Sequence, residues 1–139
     1  MIEVQAQEYL NSKDIRPSIH RIAIMKYLLE HSTHPTVDDI FNDLHEEIPT
    51  LSKTTIYNTL KLFSEKNAAL VLNIEEKNVH FDGDTHPHNH FRCIKCGKIF
   101  DLPLNENINF ANEQYNGFEV IDTQVYHKGF CPKCKENNN

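Results

Sequence analysis

The stretch SKTTIYNTLKLFSEKNAALVLNIEEKNVHFDGD, residues 52–84, changes its hydrophobic period part-way along. Its first half repeats at helical spacing. Ser52 is a plausible N-cap, and Ile56, Leu60 and Phe63 share one face. Thr54, Tyr57, Asn58 and Lys61 occupy the opposite face. After Asn67 the period falls to two, with Leu70, Leu72 and Ile74 alternating, then Val79 and Phe81. Glu75-Glu76-Lys77-Asn78 separates these runs as a turn, so the segment predicts a helix followed by a hairpin. Helices closed by one hairpin match a winged helix-turn-helix, whose last helix enters the DNA major groove with the hairpin beside it.

Reading outward toward the N-terminus gives more helix. Residues 2–12 predict a short one. Arg16-Pro17-Ser18 opens a second that runs to about Glu30. His34-Pro35-Thr36 breaks the chain. Thr36 with Asp39 then forms a capping arrangement ahead of Val37, Ile40, Phe41 and Leu44. Pro49 ends that region. A first domain over residues 1–82 is the expectation, with Asp82-Gly83-Asp84 as a hinge and residues 83–139 as a second domain.

The formal charge of −6 over 139 residues argues against a uniformly basic nucleic-acid surface. Binding to DNA would have to come from a local patch. Residues 13–26 carry Lys13, Arg16, Arg21 and Lys26 against Asp14, and residues 50–66 carry Lys53, Lys61 and Lys66 against Glu65. Asp38, Asp39, Asp43, Glu46 and Glu47 lie between them. Taken alone, such charge runs read as solvated helix faces. Within the two basic windows, Tyr57 and Asn58 are candidates for base contacts. Arg21, Lys53, Thr55 and Lys61 are candidates for phosphates.

Reading outward toward the C-terminus gives metal chemistry. HFDGDTHPHNHFRCIKC, residues 80–96, holds eight side chains able to bind a metal: His80, Asp82, Asp84, His86, His88, His90, Cys93 and Cys96. Residues 88–93 and 98–102 predict strands around the turn Cys93-Ile94-Lys95-Cys96-Gly97. Residues 104–116 predict a helix stopped by Gly117. Residues 118–128 predict one or two strands, ending at Cys131-Pro132-Lys133-Cys134. A domain this small buries little core, so a metal staple or a partner copy is expected. The chain has no apolar run near the ~20 residues that span a bilayer. It opens on no basic segment followed by an apolar core, which predicts a reducing cytoplasm. There, two Cys-x-x-Cys pairs predict two tight knuckles holding one structural Zn²⁺ through Cys93, Cys96, Cys131 and Cys134. His88 and His90 are two apart on a predicted strand and share a face. Asp101 on the returning strand and Asp82 at the end of the hairpin complete a mixed N/O set. That set suits Fe²⁺, Mn²⁺ or Zn²⁺, and makes a second site.

Together, SKTTIYNTLKLF, the hairpin, HFDGDTHPHNHFRCIKCGKIFDL and the terminal CPKC resemble the ferric uptake regulator family. The similarity runs over about residues 5 to 135. It implies an α+β fold: an N-terminal winged helix-turn-helix followed by a small α/β dimerisation domain with a four-cysteine zinc site. It also implies a homodimeric transcription repressor of the cytoplasm that is not an enzyme, with double-stranded operator DNA as partner. The regulatory ligands implied are His34, Asp82, His88, His90 and Asp101, holding Fe²⁺ or Mn²⁺. Iron sensors of the family typically carry glutamate where this chain has Asp82 and Asp101, and Arg where it has Asn58. The peroxide-sensing branch resembles this chain at all three. Pro87 and Asn89 stand where iron sensors often have an additional pair of ligands. In the peroxide branch, peroxide oxidises a histidine ligand of the ferrous ion, which implies His34 and His88 as the oxidation-prone residues. The alternative is an iron-responsive repressor that ignores peroxide. His86 has no assigned role. Outside regulators, the rival is a metal-dependent hydrolase built on His88, His90 and an aspartate, for which no general base is evident. A structural zinc-ribbon adaptor is the third reading.

Overall fold

A computed structural model describes residues 2–73, 78–85, 89–103, 116–119 and 124–136. The chain divides into two compact units, residues 1–85 and 86–139. Residues 83–85, placed by the sequence reading at the head of the second domain, group with the first.

The first unit begins with four helices: α1 (Ile2–Ser12), α2 (Ile19–Glu30), α3 (Val37–Leu44) and α4 (Lys53–Glu65). Their starts are set by side chains that satisfy the orphan N–H groups of a first turn. Ser18 caps α2 and Ser52 caps α4. Thr36 and Asp39 form a reciprocal capping box on α3. Two helices stop on residues in the left-handed region. Asp14 (φ 58°) follows α1 and Asn67 (φ 59°) follows α4. Each stop is closed by a six-to-one hydrogen bond, Ile15 N–H to the Leu10 carbonyl at 2.9 Å and Ala68 N–H to the Phe63 carbonyl at 2.7 Å. Asp and Asn serve here in the place glycine usually takes.

The hairpin follows as β1 (Leu70–Leu72) and β2 (His80–Asp82), antiparallel with Leu70 opposite Asp82 and Leu72 opposite His80. Ile74 and the turn after it lie outside the described residues. Leu10, Ile24, Met25, Ile40, Ile56, Leu60 and Phe63 are fully buried, and Phe81 of β2 joins them. The apolar stripes predicted for α3 and α4 thus meet in a core that the hairpin helps to close. Tyr27 Oη donates to Asp43 at 2.6 Å, tying α2 to α3.

The second unit contains β3 (Asn89–Cys93), β4 (Ile99–Leu102), β5 (Tyr126–Gly129) and a short helix α5 (Pro132–Glu136). β3 is central, antiparallel to β4 and parallel to β5. The predicted helix over 104–116 and most of the predicted strand region before β5 lie outside the described residues. Helix α5 was not expected. Cys131-Pro132-Lys133-Cys134, the second tight turn, is also the entry to α5, with Pro132 at its first position and Lys135 N–H donating to the Cys131 carbonyl at 2.8 Å. Pro is favoured at a first helical position because its missing N–H would be an orphan there anyway.

Candidate metal centres and nucleic-acid face

The four cysteine sulfurs of the second unit converge, all lying within 4.8 Å of one another. Two local devices aim them. The β3–β4 turn reverses through Gly97 at φ 79°, closed by Gly97 N–H to the Cys93 carbonyl at 2.9 Å. The first turn of α5 then spaces Cys131 and Cys134 three residues apart, on one helix face. Cys96 Sγ stands 4.0 Å from Cys131 Sγ, about twice a disulfide bond length, and all four thiols are free. Tetrahedral zinc at ~2.3 Å from each sulfur sets the sulfurs about 3.8 Å apart, so this donor set fits structural zinc.

Hydrogen bonding already favours a thiolate at Cys93. The backbone N–H groups of Cys96 and Cys131 donate to its sulfur at 3.5 and 3.4 Å and pull its pKa down to about 6. Burial pushes Cys134 the other way, up to about 12. A divalent cation at the centre of the tetrad would reverse that second preference and hold all four as thiolates. Around the sulfurs the described apolar support is thin, Phe91 and Phe100.

Within the first unit, His34 and Asp82 form a buried pair. Their exposures are 3% and 5%, and His34 Nε2 lies 3.4 Å from Asp82 Oδ2. The chain turns sharply to make this. His34 has φ 58°, a left-handed conformation uncommon outside glycine, which His, like Asn and Asp, adopts more readily than most residues. Strand β2 brackets the turn. His80 Nδ1 donates to the His34 carbonyl at 2.6 Å and Phe81 N–H to the Pro35 carbonyl at 2.9 Å. Asp82 is held by its own turn, its Oδ1 accepting from Asp84 N–H at 2.9 Å. Gly83 packs against α2, where an added Cβ would lie 3.2 Å from both Leu28 Cβ and the Leu28 carbonyl oxygen.

Within the second unit a similar pair recurs. His90 and Asp101 are register partners on β3 and β4, with Nε2 to Oδ1 at 3.4 Å. His90 is buried, and the Tyr126 ring on β5 stands 6.2 Å from its imidazole, centre to centre. His88 and His86 lie outside the described residues. A nitrogen and an oxygen bound to one cation at ~2.1 Å each sit about 3 to 3.4 Å apart, so each pair fits one edge of a metal's coordination shell. Imidazole with carboxylate suits iron, manganese or zinc.

On α4, Lys53, Tyr57, Asn58 and Lys61 are exposed, and the 55% exposure of Tyr57 removes it from the core. Thr55 is half-buried, and its hydroxyl accepts from the Ser52 cap at 2.9 Å. The ammonium of Lys53 is 3.2 Å from Asp38 of α3 and 5.3 Å from the centre of the Phe41 ring. Arg21 on α2 donates from Nη1 to the Arg16 carbonyl at 2.9 Å. Tyr57, Asn58 and Lys61 therefore make a continuous exposed strip on one helix, whereas Arg21, Lys53 and Thr55 already serve contacts inside the unit.

The ferric uptake regulator family model matches residues 12–128. The chain belongs to the ferric uptake regulator family. Among its relatives in that family, the peroxide-responsive repressor PerR of Staphylococcus epidermidis is 34% identical over 132 residues, covering 94% of this chain and 88% of PerR. The same-named protein of Staphylococcus aureus (strain Mu50) is 33% identical over 129 residues, covering 91% and 87%. A solved structure of PerR from Streptococcus pyogenes, concerned with peroxide sensing and gene regulation by that protein, is 31% identical with a TM-score of 0.53, covering 96% of this chain and 92% of that one. The Helicobacter pylori ferric uptake regulator Fur, at 20% identity and a TM-score of 0.73, covers 99% and 94% and shares the fold. His80, like Asp84 and His86, was counted as metal-capable in the sequence and given no role there. The alternation of β2 was the available signal, because it puts His80 on the same strand face as Asp82.

Proposed function

We propose that the chain is a cytoplasmic, metal-dependent and peroxide-responsive transcriptional repressor that grips operator DNA as a homodimer. The coarser part, a metal-responsive regulator, follows from the family and from relatives named peroxide-responsive repressors. The observation that carries the finer part is the buried His34–Asp82 pair, 3.4 Å apart, in the same unit as the exposed strip of α4. A ligand pair there gives a metal a direct hold on the DNA-binding half. We read His34 and Asp82 as sharing one regulatory ion with His88, His90 and Asp101, and Cys93, Cys96, Cys131 and Cys134 as holding structural zinc. A ligand that binds one conformation of a two-state protein better than the other shifts the population toward it.

Ferrous iron held by these residues would activate peroxide, and the two electrons that reduce it to water and a ring-bound oxygen would come, in net, from a histidine ring. The chain's own part is to present imidazoles beside that reaction. His34 and His88 are the residues we expect to be modified. Each gains one oxygen atom, with water as the other product, and becomes a poorer donor. Losing one ligand is enough to shift binding, because a swing from mostly bound to mostly free needs a differential of only ~5 kcal/mol. Tyr57 and Asn58 would contact bases and Lys61 a phosphate, with Arg21, Lys53 and Thr55 in supporting positions. As family members homodimerise, the β4 and β5 edges, both open among the described residues, are available to a second copy.

The test uses operator DNA selected in vitro against the Mn²⁺-loaded chain. Retardation is then measured with Fe²⁺ or Mn²⁺, each with and without peroxide. Both metals should retard the DNA. Peroxide should abolish the Fe²⁺ complex, spare the Mn²⁺ complex and add 16 Da to a peptide carrying His34 or His88. An Fe²⁺ complex that survives peroxide with unmodified histidines would point to an iron-responsive repressor instead.

A further inference from the structure

We propose that His80 is a positioning residue for the metal pair of the first unit. Its ring N–H holds the backbone of residue 34 in the turn that aims the His34 imidazole at Asp82. This rests on the reading of His34 and Asp82 as metal ligands.

Residue 34 has little local means of holding its own conformation. It sits at φ 58°. Pro35 follows it, which restricts residue 34 further and removes a backbone donor from the turn. A strained backbone persists only where the surroundings over-determine it. Here the restraint comes from 46 residues away, through the 2.6 Å bond from His80 Nδ1 to the His34 carbonyl. The 2.9 Å bond from Phe81 N–H to the Pro35 carbonyl reinforces it. One short strand therefore does two things. It carries Asp82, the partner of the His34 ring, and it pins the backbone from which that ring projects. His80 and Asp82 are two apart on β2, so both reach the same side of the strand. Donation from Nδ1 fixes the tautomer of His80, with Nε2 left as the acceptor nitrogen, and His80 is not among the described residues whose ligand atoms converge.

Side-chain chemistry makes this separable from a role in folding alone. Asparagine places an amide nitrogen where the imidazole has Nδ1. Glutamine places it one bond further out, near the position of Nε2. The test titrates Mn²⁺ alone into the full, zinc-retaining chain and follows the free-ion signal by electron paramagnetic resonance. His80→Ala should weaken Mn²⁺ binding by about tenfold or more, the scale seen when a group orienting a ligand is removed. His80→Asn should restore affinity close to the parent, and His80→Gln should not. His34→Ala and Asp82→Ala are measured alongside. If both of those lose affinity while His80→Ala keeps it, the positioning role is overturned and the metal pair stands. If His34→Ala and Asp82→Ala keep parent affinity, the metal pair itself is wrong. Should His80→Ala fail to fold by circular dichroism, the Asn and Gln variants decide, and equal affinity in those two overturns the proposal.

Discussion

His34 shows how far a single residue's role depends on contacts remote in sequence. As a lone histidine beside a helix start it reads as solvent-exposed, and only the family resemblance marked it as a ligand. It is nevertheless buried, and β2 straps the 34–35 turn across 46 positions, a contact that no local window contains. Asp82, by contrast, was legible from its place at the end of the hairpin. Gly83 next to it was read as a hinge, yet its neighbours give it a packing role. Substituting Gly83→Ala sets a methyl 3.2 Å from the Leu28 carbonyl oxygen, which belongs to helix α2 and yields little. We expect a loss of about 1–3 kcal/mol, the usual cost of overpacking a site without room. Urea unfolding of the metal-free chain measures it directly. An unchanged midpoint would mean the α2–hairpin contact is looser than these distances require. Mn²⁺ affinity should fall in the same variant, because the backbone that moves is the one holding Asp82.

At the scale of elements, period and capping chemistry were sufficient for the helical half. Ser18, Thr36 and Ser52 begin their helices as their side chains dictate. The ends were harder to read, because Asp14 and Asn67 stop α1 and α4 with the left-handed turn that glycine would signal more clearly. Helix α5 was missed for a related reason. Cys-Pro-Lys-Cys suits a tight turn whether or not a helix follows, and only Lys135 N–H donating to the Cys131 carbonyl marks the helix. For α4 the sequence marked one polar face, and packing then sorted its members. Lys53 is engaged with Asp38 and Phe41, so it belongs to the α3–α4 contact as much as to any phosphate. Lys61 is the cleaner phosphate candidate. Lys61→Ala should weaken binding to every DNA sequence alike. It should also lower the slope of log affinity against log salt by about 0.9, the counterion release expected for one phosphate. Retardation assays at several salt concentrations give that slope. A parent-like slope would remove Lys61 from the phosphate set and leave Tyr57 and Asn58 to account for the face.

At the scale of the molecule, the two units are stabilised by different physics. The first buries a continuous apolar cluster drawn from four helices and a hairpin, with Phe63, Ile24 and Leu60 fully enclosed. The described core of the second is three buried cysteines with Phe91 and Phe100 against them. Apolar burial contributes about 25 cal/mol per Å², so the described cluster contributes little by itself, and if the tetrad holds zinc as proposed, metal binding to the thiolates would be a large term holding the described β3, β4 and α5 together. Removing zinc should therefore affect the units unequally. When the chain is treated with a strong chelator under reducing conditions, amide exchange along β3, β4 and β5 should become fast. The fully buried turns of α2 and α4 should keep their protection, because their stability does not pass through the tetrad. Hydrogen exchange read by mass spectrometry resolves the two halves in one experiment. Loss of protection in α2 and α4 at the same chelator concentration would show that the metal stabilises the whole chain as one cooperative unit. Retained protection in β3 would mean that the sheet stands on residues other than the four cysteines.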